Sequence, residues 1–212
     1  MKVFITSGNT WIRIDPVRVV TNVFTGETGL NIANYLSEQN VDVILASSNH
    51  YLTELKGRES INYRHYQYFE ELDAIIKDVI LNEKPDVIIH AAAVSDYQPK
   101  EVSTIKIKSN LDELDMGTWV RTKKLIHSIR QEYGYTKSLI QFKLETLEND
   151  DELISVGRNS LLKNQSNLCI ANRFNELENV IAITSSDQLK MPRSDLHQYL
   201  WQWISKKEID GK

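Results

Sequence analysis

Residues 69–94 read Phe-Glu-Glu-Leu-Asp-Ala-Ile-Ile-Lys-Asp-Val-Ile-Leu-Asn-Glu-Lys-Pro-Asp-Val-Ile-Ile-His-Ala-Ala-Ala-Val. Leu72, Ile75, Ile76, Val79 and Ile80 recur at the spacing of one helical face, so Phe69 to Asn82 is predicted to be a helix. Pro85 stops it. Asp86-Val87-Ile88-Ile89-His90 is a short continuous apolar run, as in a strand buried on both faces. A helix feeding a doubly buried strand is the unit of a parallel sheet, and similar units lie on either side of it.

Upstream, Val3-Phe4-Ile5 is a short strand ending in the turn-rich Thr6-Ser7-Gly8-Asn9-Thr10. A long loop leads to a helix over Gly29 to Gln39, with Leu30, Ala33 and Leu36 on one face. Val41 to Leu45 is the next strand. Downstream, the pattern predicts a helix over Thr118 to Gln131 and a strand over Leu139 to Phe142. A helix over Asp151 to Lys163 follows, then strands at Leu168 to Ala171 and Val180 to Ile183. Ser194 to Lys206 is the last helix. The expected fold class is α/β: one domain over 1–212, a mainly parallel sheet with helices on both faces. Ligands of such sheets bind beyond the carboxyl ends of the strands, and a long loop at about 97–117 lies there.

Composition narrows the function. The chain has 212 residues and a net charge of -4, which argues against a broad nucleic-acid surface. Its single cysteine, Cys169, excludes a disulfide framework or a cysteine-rich zinc site. No apolar run reaches the roughly 18 residues of a membrane span. Met1-Lys2-Val3-Phe4-Ile5 runs straight into a strand without a signal-peptide pattern, so a cytoplasmic protein is expected.

Several segments carry candidate chemistry. Gly8 follows the first strand, and Gly26 and Gly29 open the first helix, with Thr25 available as its cap. Glycines let backbone N–H groups approach phosphate, although an ordinary strand-to-helix turn has the same composition. The segment is neither a P-loop nor the triple-glycine dinucleotide fingerprint. Ala91-Ala92-Ala93 keeps the next strand end flat, and Asp96 places a carboxylate just past it. His90 reads as a satisfied core histidine. Alternation places Lys106 and Lys108 on one side of an extended segment, suited to a polyphosphate or to protecting a sheet edge. Phe142 and Asn172 stand at two further strand ends, where an asparagine can read a base or simply cap a turn. Tyr133 and Lys137 fit the Tyr-x-x-x-Lys spacing of short-chain dehydrogenases, but Gly134 between them indicates a turn where those enzymes have a helix.

Taken in order, these segments resemble the phosphopantothenate–cysteine ligases of coenzyme A biosynthesis. Asp15-Pro16-Val17-Arg18, Asn22, Gly26 and Gly29 look like the family's Asp-Pro-Val-Arg-x-x-x-Asn-x-x-x-Gly-x-x-Gly segment. Ala91-Ala92-Ala93-Val94-Ser95-Asp96-Tyr97 resembles its alanine-rich strand end, and Lys106-Ile107-Lys108 its lysine segment. Phe142-Lys143-Leu144-Glu145-Thr146 is similar to the sequence of some members, and Lys163 through Asn172 resembles the family's Lys-x-x-x-Asp-x-Ile-x-Ala-Asn end. The chain departs from the family at Ser7-Gly8-Asn9-Thr10, at Phe24-Thr25 and at Ser109.

The resemblance implies a Rossmann-like fold and a stand-alone ligase. It would join 4'-phosphopantothenate to L-cysteine through an acyl nucleotidylate, with CTP or ATP as co-substrate and Mg²⁺ held largely by phosphate and water. It implies catalytic roles for Asn22 and Lys106. Gly8, Ala92, Asp96, Lys106, Phe142 and Asn172 would bind nucleotide. Asn22, Gly26, Gly29 and Lys108 would bind the substrate phosphate. No dedicated protein metal ligand is expected, the partners are small molecules rather than nucleic acid or membrane, and a homodimer is implied. The alternatives are a catalytically weakened homologue that binds nucleotide or phosphopantothenate, and an NAD(P)-dependent reductase.

Overall fold

The computed structural model describes residues 1–49, 60–108 and 116–210. Six strands run parallel: β1 (Lys2–Ser7), β4 (Asp42–Ser47), β5 (Ile61–His65), β6 (Val87–His90), β9 (Ser138–Glu145) and β10 (Leu168–Arg173). Their spatial order is β5-β4-β1-β6-β9-β10. That is the doubly wound order in which a topological switch falls between the two central strands, here β1 and β6. Two antiparallel strands, β11 (Glu176–Ile183) and β12 (Gln188–Pro192), extend the sheet beyond β10.

Side-chain alternation divides the core. Val3, Ile5, Val43, Leu45, Ile89 and Ile170 face α1 (Glu27–Glu38) and α5 (Leu196–Asp210), which supply Ile32, Ala33, Leu36, Leu200 and Ile204. Phe4, Ile44, Ile88 and Leu139 face the other way, under α2 (Phe69–Asp78) and α3 (Leu125–Gln131). Cys169 and Ala171 pack below α4 (Asp150–Lys163). The central strands are apolar on both faces because both faces are covered.

Helix ends follow local chemistry. The Glu71 carboxylate reaches back to the N–H groups of Gln67 and Tyr68 at 2.8 and 3.0 Å and starts α2. The Asn149 side chain accepts from the Glu152 N–H at 2.9 Å and starts α4. Thr25 does not cap α1; Gly26 takes that position at φ +86°, with no side-chain cap.

Several expectations are corrected. The long segment after β1 is not a bare loop, since β2 (Trp11–Arg13) and β3 (Val19–Thr21) form a hairpin within it. Thr118 to Gln131 is not one helix. β8 (Trp119–Arg121) pairs with β7 (Tyr97–Pro99), which also gives structure to the start of the expected 97–117 loop. Thr122 then donates its hydroxyl to the Ser95 carbonyl at 2.6 Å, and the helix begins only at Leu125. Ser109 lies outside the described residues.

Candidate active site

A cleft of about 1270 Å³ opens beyond the carboxyl ends of the strands, across the β1/β6 switch point. Its first wall is built by close approach. An added Cβ on Gly29 would lie 2.4 Å from Ser7 Oγ, and one on Gly26 would lie 2.7 Å from the Gly8 nitrogen. Glycine therefore lets α1 seat directly on the end of β1, with the Ser7 hydroxyl donating to the Gly26 carbonyl at 2.6 Å. The uncapped N–H groups of α1 face the cleft, a setting that favours an anion. Arg193 closes this side, donating to the Thr28 hydroxyl at 3.1 Å and to the Leu177 carbonyl at 2.5 Å. Burial lowers its pKa from the usual arginine value.

The second wall is the alanine run after β6. The Ala93 N–H donates to the Gly8 carbonyl at 2.7 Å, and the Ala91 N–H to the Thr6 carbonyl at 3.0 Å. These bonds hold the two strand ends together past the sheet proper. Asn9 ties in the hairpin exit, donating to the carbonyls of Asn22 and Phe24 at 2.7 and 2.9 Å. Asn22 in turn donates one amide N–H to the Ala93 carbonyl at 2.9 Å. His90 is the satisfied core histidine of the sequence reading: its Nδ1 lies 2.8 Å from Thr6 Oγ1, and burial holds its pKa down at about 4.

Eight of the ten expected site residues share this cleft: Gly8, Asn22, Gly26, Gly29, Ala92, Asp96, Phe142 and Asn172. Asp96 pairs with Lys124 at 2.5 Å. Asn172 is 7% exposed and its side chain makes no hydrogen bond among the described residues, so its amide is open to a ligand. Lys106 and Lys108 are exposed and do not line the cleft. Between them, the Ile107 N–H donates to the Asp15 carboxylate at 3.1 Å, and the Ile107 carbonyl accepts from Arg18 at 3.0 Å.

Asp15 also accepts from the Val17 and Arg18 N–H groups, both at 2.8 Å, and from the Arg18 guanidinium at 2.7 Å. Burial pushes this carboxyl up, but the hydrogen bonds more than offset that and hold its pKa at about 2.

Six Lys and Arg side chains line the cleft against three Asp and Glu, in a chain whose overall balance is acidic. Among these cations, Arg121, Lys163 and Arg193 carry no ion pair among the described residues. Lys123, also in the lining, is held by Asp73, Glu132 and Tyr133. Burial works against its charge, yet those partners hold its pKa above the usual lysine value. Arg121, His127, Asn164 and Arg193 escaped the sequence reading, because no local pattern marks residues that meet only through the sheet order. Tyr133 and Lys137 do not line the cleft; they bond Asp73 and Asp86 instead. Among the described residues no cluster of three His, Cys, Asp or Glu side chains forms a metal cage. No helix there is long and apolar enough to cross a membrane.

The order of the sheet and the position of the cleft define a doubly wound α/β protein with a cation-lined cleft at its switch point. The family described as DNA/pantothenate metabolism flavoprotein C-terminal domain matches residues 1–211, and the chain belongs to that family. The coenzyme A biosynthesis bifunctional protein CoaBC of Thermococcus kodakarensis is 30% identical over 97% of the chain and 51% of its own length. The protein of that name from Vibrio parahaemolyticus is 30% identical over 85% of the chain and 45% of its own length. The chain thus spans about half the length of these curated relatives. Among solved structures, the DNA/pantothenate metabolism flavoprotein from Streptococcus pneumoniae superposes with a TM-score of 0.86 at 26% identity, covering 98% of this chain and 99% of that one. A Cab2 variant in complex with phosphopantothenate-cysteine shares the fold, with a TM-score of 0.77 at 17% identity, covering 99% of this chain and 86% of that one.

Proposed function

We propose that this chain is a phosphopantothenate–cysteine ligase. The observation that carries the reading is the cleft itself. It gathers Gly8, the stretch from Asn22 to Gly29, the stretch from Ala91 to Asp96 and Asn172 from four separate parts of the chain into one cationic space. The CoaBC relatives are named for coenzyme A biosynthesis and the Cab2 variant holds phosphopantothenate-cysteine, and both support this reading.

A carboxylate does not condense with an amine at neutral pH because oxide is a poor leaving group. In the proposed reaction, a carboxylate oxygen of 4'-phosphopantothenate attacks the α-phosphorus of CTP or ATP. The bond to the β-phosphate oxygen breaks and pyrophosphate leaves. The cysteine amine then attacks the acyl carbon, the bond to the nucleoside monophosphate breaks, and the nitrogen loses a proton as the amide forms.

The first step calls for positioning and charge neutralisation. The α1 N-terminus and cleft cations supply these, and Lys106 is assigned to the α-phosphate. The second step calls for a donor to the acyl oxygen, and the remaining N–H of Asn22 is assigned to it. The cleft carboxylates Glu27, Asp96 and Glu178 stand singly in sequence, a donor set that fits Mg²⁺ carried in largely by phosphate oxygens and water.

The reading includes a cytoplasmic homodimer. Val17, Val23, Tyr97 and Ile105 are 65, 80, 51 and 74% exposed and lie on the hairpin and its exit, on β7 and on the strap that follows it (residues 100–108), apolar surface suited to a second copy. A pyrophosphate-release assay with 4'-phosphopantothenate and cysteine, run in parallel with CTP and ATP, tests the activity. Release that depends on phosphopantothenate is the expected outcome. Nucleotide binding without release identifies a weakened homologue instead.

A further inference from the structure

The cleft has a second arm, between α3 and α4 and above β9, that differs in chemistry from the glycine wall. Its floor is neutral and polar. Gln141, only 1% exposed, donates from Nε2 to Ser160 Oγ at 3.1 Å, and its Oε1 accepts from Ser166 Oγ at 3.1 Å and from Asn164 Nδ2 at 2.6 Å. Asn164 gives its other N–H to Ser160 Oγ at 3.2 Å. Both donors of Asn164 are therefore used, which turns its Oδ1 toward His127, whose Nε2 lies 2.9 Å away.

An amide oxygen only accepts, so Nε2 is the ring nitrogen that carries the hydrogen. In the neutral imidazole Nδ1 is then bare. It has no hydrogen bond among the described residues, and His127 lines the cleft. A chain of amides rooted in the buried Gln141 thus ends in one hydrogen-bond acceptor whose chemical sense is set from behind. Leu125 and Ile126 add apolar surface to this arm, which suits a flat heterocycle, while phosphate has its donors elsewhere in the cleft.

We propose that His127 is a specificity-determining residue that reads the exocyclic amino group of a cytosine or adenine ring through Nδ1. The inference rests on the nucleotide-dependent reading above, which already names CTP or ATP, and adds to it the residue and atom that select the base. Cytosine and adenine place an N–H donor where uracil and guanine place a carbonyl oxygen. That oxygen would meet the bare Nδ1 lone pair to lone pair, so the same atom attracts one pair of bases and repels the other.

The test is calorimetric titration of the full chain with the Mg²⁺ complexes of CTP, ATP, UTP and GTP, for the wild type and His127→Gln. Glutamine can place its amide nitrogen near the Nε2 position and still donate to Asn164, while removing the Nδ1 acceptor. The wild type is expected to prefer CTP or ATP over UTP and GTP by at least about tenfold, and His127→Gln to compress that ratio to within about threefold. Inorganic triphosphate should bind both proteins alike. A variant that keeps the wild-type ratio overturns the proposal, as does a wild type that binds all four nucleotides equally; the ligase reading survives either result. A wild type that binds no nucleotide removes both. Imidazole ¹⁵N shifts of the wild type give a second readout that needs no variant: hydrogen on Nε2 is expected, and hydrogen on Nδ1 instead overturns the assignment.

Discussion

Asn22 spends one amide N–H on the Ala93 carbonyl, and the proposed reaction assigns its other N–H to the acyl oxygen. A donor that does not titrate suits an oxygen on which charge builds and collapses. Asn22→Ala is expected to accumulate the acyl nucleotidylate while amide formation stalls. Rapid quench with labelled phosphopantothenate measures both, and normal product yield without accumulation would count against the role. Lys106→Ala should instead slow formation of the intermediate by at least about tenfold, since it removes a cation from the phosphoryl step. Because Lys106 lies outside the cleft of the described chain, unchanged intermediate formation would confine it to solvent. The two variants are separable by where the reaction stops.

The junction of β1 with α1 depends on missing side chains. In Gly29→Ala the new methyl would lie 2.4 and 2.5 Å from Ser7 Oγ and Cβ, so the helix must lift or Ser7 must turn. Overpacking of this kind costs about 1–3 kcal/mol. A lower thermal midpoint together with weaker phosphate binding is expected, and unchanged values for both would show that the wall has slack.

The clip between the hairpin and the strap at Ile107 makes a different prediction. Asp15 is held at about 2, well below the roughly 3.9 of an unfolded aspartate. Its contribution to stability is fully present above about pH 4 and is lost as pH falls toward about 2. The stability gap between wild type and Asp15→Asn should be constant from neutrality to about pH 4 and close below it; a gap that changes only above pH 5 would show that another group is responsible.

Elements with a strong apolar signal were legible. The helix beginning at Phe69 and the strand ending at His90 follow from periodicity, and so does covering on both faces. β5 and β12 were not read, because edge strands are half solvated and carry little alternation: three of the five residues of β12 in a row are exposed before Met191 turns inward. Trp119 to Arg121 was read as helix because Val120 fits a helical stripe with Leu125, Ile126 and Ile129, whereas pairing with Tyr97 to Pro99 decides its state. The antiparallel turn into β11 did have a signal, since residues 172–179, all that separate the two expected strands, are too few for the crossover of about a dozen or more residues that a parallel pair needs. Single strand-end residues of the site were visible as motif members. The network behind His127 was not, because Gln141, Asn164 and Ser166 meet only after α3 and α4 dock.

Across the whole molecule, charge is unevenly spent: the acidic excess lies elsewhere, and the cleft holds a surplus of cations. Anionic substrates therefore have an attractive entrance to an otherwise acidic surface. Acid should weaken the fold at a second centre before it reaches Asp15. His90 is neutral in the core, with a pKa of about 4, whereas an unfolded histidine titrates near 6.5. Between those values the unfolded chain binds a proton that the folded chain refuses. Stability is expected to fall by up to about 3 kcal/mol as pH drops from about 6.5 to about 4. Chemical denaturation across that range should show the slope in the wild type and a flatter one in His90→Asn; equal slopes would move the effect to another group.

The contact between Arg193 and Thr28 joins residues 165 positions apart. On a ribosome adding about 5–20 amino acids each second, Thr28 is made roughly 8–33 s before the arginine that closes on it. For that interval the nascent chain has its glycine wall but not Arg193, so this side of the cleft can close only after residue 193 has been added.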